Sequence, residues 1–455
     1  MGKRGIDLVH RRPFSTLTRE RLVAHNLIVA AGTVSAGLLG VAVQSLVSHR
    51  LLPSEYGGVF AVLTLLNLVW LPGAAFTLLM ARQTSRDRAS GQTTPSVALL
   101  RAGNRALILF GAGIALLVAL SSPFVAPLID VPIGLLWAAA AGIPFGLALP
   151  LLLGVFQGGE RFITFSAFAA GQAALKLVAA VALGVFLGPA GVVLGISLGT
   201  AITYLIALGI LRKPFARKES WPWLRPAVTY LALILPSTLA VAVLLSADVL
   251  IVKHFFGPQP AGEYAVVAAL GRAIFWGATA VAAVLFPKVV FRENAGQSWA
   301  QIVLWSFALA IAGGALGVAV LTRWSEFIIT VFAGAAYAPG SAYLPWYALG
   351  MTLLGGAVVL IATEQSRGAS AFLWVLLPMT LAEPALLVRF HESLTQVIQV
   401  LDACMAVLVI GLALVALSRR RLPASASAKG VANEKLRGET SVALGELCVV
   451  EVRSE

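Results

Sequence analysis

The feature that most constrains the fold of this chain is its series of long apolar stretches, each about 20 to 25 residues in length. An α-helix of this length crosses a hydrocarbon core of ~30 Å, whereas a tilted barrel strand needs only about ten residues of alternating polarity. Only 12% of the 455 residues are charged, which is about half the share of soluble domains. The pattern predicts an all-α integral membrane protein with about twelve transmembrane helices, at residues 24–48, 57–81, 98–121, 132–156, 162–187, 190–211, 227–252, 263–287, 299–321, 341–363, 368–390 and 396–418.

The two halves of the chain repeat one another at an offset of 208 residues. The pair Glu55-Tyr56 returns as Glu263-Tyr264, and Gln157 aligns with Gln365. Such a duplication is typical of two-lobed transporters. Because six spans restore the starting orientation, we expect two six-helix lobes related by a pseudo-two-fold axis along the membrane normal. The expected domains are a basic N-terminus (1–23), an N-lobe (24–211), a linker (212–226), a C-lobe (227–418) and a disordered polar tail (419–455).

The basic residues are concentrated on one side of this predicted topology. Of the 33 Lys and Arg residues, 27 fall in the termini and connections of that side, four fall on the other side and two lie within spans. Cytoplasmic loops carry such an excess, so we expect a multi-pass protein of the plasma or inner membrane with both termini in the cytoplasm. The first 22 residues are polar and basic, so no cleavable signal peptide is expected. Since the net charge of +13 belongs to this membrane face, nucleic-acid binding is not expected.

Motifs for covalent chemistry are not evident in the sequence. There is no nucleotide-binding loop, paired metal motif or Ser/His/Asp grouping, and no connection is longer than about twenty residues. The five histidines are scattered at the ends of spans, where interfacial side chains are common. Cys404 lies in a span and Cys448 in the tail, so no disulfide is expected. We therefore expect a protein that is not an enzyme and has no cofactor and no metal site.

Three segments carry a resemblance to a known family. They are residues 247–258, continuing through Glu263-Tyr264 to Arg272, and then residues 52–57 and 332–340. These segments resemble, in turn, the start of the second lobe, the matching first-lobe loop and the approach to span ten in oligosaccharide flippases. Those flippases form the polysaccharide-export branch of the multidrug/oligosaccharidyl-lipid/polysaccharide (MOP) transporter superfamily. The resemblance extends over residues 24–418, and twelve spans fit these exporters better than the peptidoglycan-precursor flippases, which usually carry fourteen.

This resemblance implies two bundles around a central cavity that opens alternately to each side. A polyprenyl-pyrophosphate-linked oligosaccharide would pass from the cytoplasmic to the outer leaflet for cell-surface polysaccharide biosynthesis. The implied partners are this lipid-linked oligosaccharide, membrane lipids and glycan-assembly enzymes. The alternative is a cation-coupled small-molecule or drug antiporter of the same superfamily, although the N-lobe offers no mid-span carboxylate. A membrane enzyme of glycan assembly, or a scaffold for one, is disfavoured by the short loops.

Cations within or near the spans are candidates for binding the pyrophosphate. Lys176 lies in span five with Gln172 one turn before it, and Arg272 lies in span eight. Arg101 and Arg105, one turn apart, lie at the predicted cytoplasmic end of span three. A charge within a span costs about 3 kcal/mol at the bilayer centre, so it needs a partner or a wet cavity. The structural alternatives are ion pairs of Lys176 and Arg272 with acidic residues, and snorkelling of Arg101 and Arg105 to the membrane surface.

Two acidic residues in the C-lobe are candidates for binding a coupling proton or sodium ion. Glu383 lies deep in span eleven, and Asp248 lies near the outer end of span seven. The 208-residue offset takes Lys176 to position 384, next to Glu383, so the lobes place opposite charges at nearly equivalent depths. The structural alternatives are an ion pair, with Arg272 or Lys176 as the cation, and a contact with a helix end.

Overall fold

The first half of the chain folds into seven helices. The structure, a computed structural model, describes residues 19–90, 94–212, 225–294 and 297–420. In the first half these residues form α1 (Arg19–Ser48), α2 (Pro53–Trp70), α3 (Gly73–Ser90), α4 (Thr94–Leu128), α5 (Ile133–Ala140), α6 (Ile143–Gly158) and α7 (Phe162–Ile210).

The second half contains eight α-helices and one 3-10 helix. They are α8 (Arg225–Leu244), α9 (Ala247–Phe255), α10 (Pro258–Asn294), α11 (Ala300–Arg323), α12 (Ser325–Ala333), the 3-10 helix (Ala335–Ala342), α13 (Leu344–Ser366), α14 (Leu373–Arg389) and α15 (Leu394–Arg420). The N-terminal 18 residues, most of the predicted linker and the tail beyond residue 420 lie outside the described residues.

Several predicted spans consist of two helices joined at a break. Span two is α2 and α3, span four is α5 and α6, and span seven is α8 and α9. Pro72 lies at the first of these breaks, where its ring removes a backbone N–H and blocks the preceding turn. Within α7 the chain turns at Gly188, whose φ of 58° is readily adopted only without a side chain, and Pro189 follows. These breaks lie within or between the predicted spans and leave the predicted set of spans intact.

The described helices confirm an all-helical membrane protein. Nine of the described helical segments are long and apolar enough to cross a membrane. One of them is α7, whose 49 residues would extend ~74 Å, so its turn at Gly188 divides it into the predicted spans five and six. Two further helices, α1 and the 17-residue α14, correspond to predicted spans one and eleven.

Helices pack first within each half of the chain and then between the halves. In the first half, α1 packs on α7, and α3 and α4 pack on α6. In the second half, α13 is central and packs on α10, α11 and α15. The main contact between the halves is α2 against α10. These two helices correspond to one another in the duplication.

The contact between α2 and α10 has the geometry of a pseudo-two-fold axis. A residue close to such an axis meets its own counterpart, and Thr64 on α2 contacts Arg272 on α10, 208 residues later. Tyr56 and Tyr264, the repeated tyrosines, are both fully buried beside this contact. The two backbones can approach closely because Gly262 has no side chain. A Cβ at this position would lie 1.8 Å from the carbonyl oxygen of Pro53.

Candidate transport site

A buried ion pair joins Arg272 on α10 to Asp248 on α9. The Arg272 Nη2 lies 3.1 Å from the Asp248 Oδ1, and the two side chains are 9% and 1% exposed. Two phenols complete the group: the hydroxyls of Tyr264 and Tyr347 donate to the Asp248 Oδ2 at 3.0 and 2.9 Å. The Nε–H of Arg272 donates to the Tyr347 hydroxyl at 3.2 Å. We call these four residues the C-lobe network. Because Asp248 accepts three donors, the network is largely satisfied within itself.

Local sequence explains how the C-lobe network is held. The break between α8 and α9 starts a new helix, which places Asp248 in the first turn of α9, where the helix dipole favours a negative charge. Gly271 allows Tyr347 to approach α10, because a Cβ at Gly271 would lie 2.4 Å from the tyrosine ring. The rings of Tyr264 and Tyr347 pack edge to face with centroids 5.6 Å apart.

Arg272 also reaches across the lobe interface. Its Nη1 lies 3.5 Å from the hydroxyl oxygen of Thr64, and its guanidinium carbon lies 5.4 Å from the centroid of the Phe60 ring. Both partners are on α2 of the N-lobe. The sequence predicts either an anion-binding role or an ion pair for Arg272, and this structure contains the ion pair, with Asp248 as the partner.

Glu383 on α14 is fully buried and lies close enough to Asp248 and Arg272 to interact with them electrostatically. Within the described part of the chain, neither of its carboxylate oxygens has a hydrogen-bond partner. An ionised carboxylate left unpaired in a protein interior costs several kcal/mol. The position therefore favours a proton or a bound cation on Glu383.

Lys176 on α7 is the cation of the N-lobe interior. Its Nζ lies 5.1 Å from the centroid of the Trp70 ring, a cation–π geometry. Neither Asp248 nor Glu383 pairs with it, so the ion pair considered for Lys176 from the sequence is not formed. The Trp70 indole N–H is buried and has no acceptor among the described residues. Gln172, one turn earlier on α7, is half-buried.

Arg101 and Arg105 lie on α4 and are not part of the C-lobe network. Arg101 is half-buried and interacts with other residues, whereas Arg105 is exposed. The structure therefore places the five candidate cavity residues in three places: the interface between α2 and α10, the N-lobe interior and the beginning of α4.

Sequence reasoning missed several residues of the site. Tyr347 and Thr64 carry no signal of their own, because an isolated tyrosine or threonine in a span is common. Tyr264 lies in the repeated Glu-Tyr pair, which marks it as structural without revealing its bond to Asp248. Asp402 on α15 was detectable as an acid within a span, and its Oδ1 has no hydrogen-bond partner among the described residues. The described residues contain no group of three or more His, Cys, Asp or Glu side chains arranged to hold a metal ion.

Comparison with known proteins gives matches at the level of structure. No family model and no curated protein matches the chain. The chain is similar to the lipid II flippase MurJ in an inward closed conformation, with a TM-score of 0.69 and 13% identity over 87% of this chain and 88% of that chain. It is similar to an inward-facing multidrug resistance MATE family transporter of the MOP superfamily, with a TM-score of 0.66 and 12% identity over 86% of this chain and 96% of that chain.

An outward-facing structure of a MATE family transporter gives a lower TM-score of 0.59 at 12% identity, over 88% of this chain and 94% of that chain. Identities in this range establish a shared fold and leave the cargo open. Together with the helices, the α2–α10 contact and the breaks described above, they show that the chain is an all-helical membrane protein with the fold of the MOP transporter superfamily.

Proposed function

We propose that the protein moves a polyprenyl-pyrophosphate-linked oligosaccharide from the cytoplasmic to the outer leaflet by alternating access. The observation that carries this proposal is Lys176, which lies in the middle of predicted span five and has no carboxylate paired with it among the described residues. A pyrophosphate needs cations and donors that are not already neutralised by acids, and lysine is a common phosphate partner. The buried indole N–H of Trp70 supplies a second free donor beside it.

In this proposal, Arg272 binds the phosphate only after its ion pair with Asp248 has been weakened. Its guanidinium is paired with Asp248 and reaches Thr64 of the other lobe. A proton or sodium ion bound at Asp248 or Glu383 would weaken the ion pair and free Arg272 for the phosphate. The two acids then act as the ion-coupling residues, and Arg272 is the link between ion and cargo.

The start of α4 and the membrane potential favour the same direction of transport. Arg101 and Arg105 lie at the predicted cytoplasmic end, where they attract an anionic head group. A potential that is negative inside assists outward movement of an anion by ~2.3 kcal/mol per charge per 100 mV. The similarity to a lipid II flippase supports the ability of this fold to handle a lipid-linked cargo. Membrane lipids and glycan-assembly enzymes are the expected partners.

The test is transport of a fluorescent polyprenyl-pyrophosphate-linked saccharide by the purified protein in liposomes. We expect Lys176→Gln to lower the transport rate at least about tenfold, the effect of losing one charge-assisted hydrogen bond. Lys176→Arg is the matched control and should retain most of the activity, because it keeps the positive charge. Wild-type transport by Lys176→Gln would contradict the proposed role of Lys176, and no transport by the wild-type protein would contradict the cargo.

A cation-coupled antiporter of small molecules is the second candidate, and Glu383 is the observation that favours it. A buried acid without a hydrogen-bond partner in the described region is suited to carry a coupling ion. In that case a proton or sodium gradient would drive efflux of an organic cation from the same liposomes. Efflux that is lost in Glu383→Gln, in vesicles that do not move the lipid-linked saccharide, would favour the antiporter over the flippase.

A further inference from the structure

The two lobes are joined by polar contacts at one end of the molecule. This is the end that carries the connection 49–52, and the distribution of Lys and Arg predicts that it is external. The contacts join the ends of α1 and α9 to connections of the opposite lobe. We call them the inter-lobe clasp, and they form a charged arm and a neutral arm.

The charged arm joins the end of α9 in the C-lobe to the connection after α4 in the N-lobe. The Lys253 Nζ lies 3.4 Å from the Asp130 Oδ2, and the Lys253 side chain is 2% exposed whereas that of Asp130 is 70% exposed. The neighbouring His254 Nδ1–H donates to the carbonyl oxygen of Leu128. Asp130 has a φ of 46°, a left-handed conformation that aspartate tolerates better than most residues. It borders a cavity of about 410 Å³, so this arm is within reach of water.

The neutral arm joins the end of α1 and the connection after it in the N-lobe to the end of α12 and the 3-10 helix after it in the C-lobe. The hydroxyls of Ser45 and Ser48 donate to the carbonyl oxygen of Phe332 at 2.8 and 3.2 Å. The hydroxyl of Tyr337 donates to the carbonyl oxygen of Leu51 at 2.9 Å. Tyr337 is 1% exposed, so this arm is almost fully removed from water.

The two arms are counterparts in the duplicated fold. Lys253 lies 208 residues after Ser45, and both belong to the last turns of the first span of their lobe. Each contacts the connection that follows the third span of the opposite lobe. The same helix position therefore contributes to both arms, once with a hydroxyl and once with an ammonium group, while the residues it contacts, Phe332 and Asp130, are not counterparts at this offset.

We propose that the inter-lobe clasp is the gate that closes the cargo path at this end, and that the Lys253–Asp130 pair is its releasable arm. When the lobes part, Asp130 changes little because it is already hydrated. Lys253 gains full hydration, so its ammonium favours the open state unless Asp130 holds it in the closed state. The proposal does not depend on which cargo is carried.

This asymmetry in burial gives the two partners opposite effects. Removing Asp130 leaves a buried, unpaired ammonium in the closed state, which is strongly unfavourable. Removing the charge of Lys253 leaves only an exposed carboxylate, and an apolar side chain of similar length suits the buried position. Loss of a simple surface ion pair would instead give two small and equal effects.

The experiment measures the distance between spin labels at Arg50→Cys and Glu392→Cys, two exposed positions of opposite lobes at this end. The background is Cys404→Ala with Cys448→Ser, in lipid nanodiscs, with pulsed electron paramagnetic resonance as the readout. We expect Asp130→Asn to lower the ratio of closed to open molecules about tenfold, the loss of one charge-assisted bond. Lys253→Met should leave the ratio unchanged or raise it, and Lys253→Met combined with Asp130→Asn should restore closure.

An unchanged distance distribution in Asp130→Asn would overturn the proposal, and so would a double variant as open as Asp130→Asn alone. If Asp130→Asn does not fold, Tyr337→Phe keeps the gate testable, because it retains the ring and removes one bond of the neutral arm. We expect that variant to open the gate about threefold. Closure as complete as in the wild-type protein would then refute the gate.

Discussion

We expect the two residues of the Arg272–Asp248 ion pair to contribute unequally to stability. Removing either one alone should change the free energy of unfolding by a different amount. Asp248→Leu leaves the buried guanidinium of Arg272 hydrogen-bonded only to the neutral oxygens of Tyr347 and Thr64, with Glu383 nearby but not hydrogen-bonded to it. Arg272→Met leaves Asp248 with two phenol donors, Tyr264 and Tyr347, at 3.0 and 2.9 Å. A carboxylate with two donors is better compensated than a guanidinium with two neutral acceptors.

The expected magnitudes follow from these contacts. Breaking a buried ion pair by removing one partner costs about 3–5 kcal/mol, so we expect Asp248→Leu to lie in that range. Two hydrogen bonds to a charged group, each worth about 1.5 kcal/mol or more, offset much of this cost in Arg272→Met, which we expect to lose about 1–2 kcal/mol. The double variant should be more stable than Asp248→Leu alone, because no unpaired charge remains.

The assay is equilibrium unfolding of the purified protein in mixed detergent and dodecyl sulfate micelles, followed by far-ultraviolet circular dichroism. Tyr264→Phe serves as a control that removes a single donor to Asp248 and should cost about 1–2 kcal/mol. If Arg272→Met proved as destabilising as Asp248→Leu, or if the losses of the two single variants simply added in the double variant, the ion pair would not be the unit that stabilises the network.

Two further predictions concern close packing and the buried acid. Gly262→Ala should prevent stable folding or separate α2 from α10, since its Cβ would lie 1.8 Å from the Pro53 carbonyl oxygen. The control, Gly277→Ala on the same helix, meets no atom within 4 Å and should gain about 0.5–1 kcal/mol of stability. Thermal unfolding compares the two variants, and equal stability would contradict the packing argument. Glu383→Gln should change the unfolding free energy by less than about 1 kcal/mol, because it breaks no hydrogen bond found among the described residues. The same variant should abolish any dependence of transport on a proton or sodium gradient. If transport in vesicles with an imposed gradient still depended on that gradient, Glu383 would be excluded as the ion site.

The fold was predictable because the length of an apolar stretch is set by the bilayer and is written directly in the sequence. The repeated Glu-Tyr pair carried the lobe relationship, and the structure places Thr64 and Arg272, one offset apart, in contact. The sequence did not predict where the helices within a span are interrupted. Ser246 is the N-cap residue of α9, a position that serine favours, but within a long apolar stretch a single serine did not predict that a new helix begins at Ala247.

The site was predictable in its charges and unpredictable in their pairing. Arg272 and Asp248 stand out because ionisable residues are rare in spans. Their pairing depends on how α9, α10 and α13 pack, since the third member, Tyr347, lies 75 residues beyond Arg272 in sequence. The sequence offset predicts nearly equivalent depths for Glu383 and Lys176, yet they do not pair: Lys176 lies against the Trp70 ring, and the Glu383 carboxylate has no hydrogen-bond partner among the described residues.

The contact between Thr64 and Arg272 gives a physical reason why the two lobes carry different residues at this position. Two copies of Arg272 facing each other across a pseudo-two-fold axis would place like charges in a buried contact, which is costly at low dielectric. One copy is therefore a threonine, Thr64, and the other is an arginine whose charge is balanced by Asp248 within its own lobe. That balance places two fully buried acids, Asp248 and Glu383, beside Arg272 in the C-lobe, while Lys176 in the N-lobe has no carboxylate paired with it among the described residues. Under the proposed function, this arrangement would place ion binding in one lobe and the anionic head group in the other, with Arg272 at the contact between them.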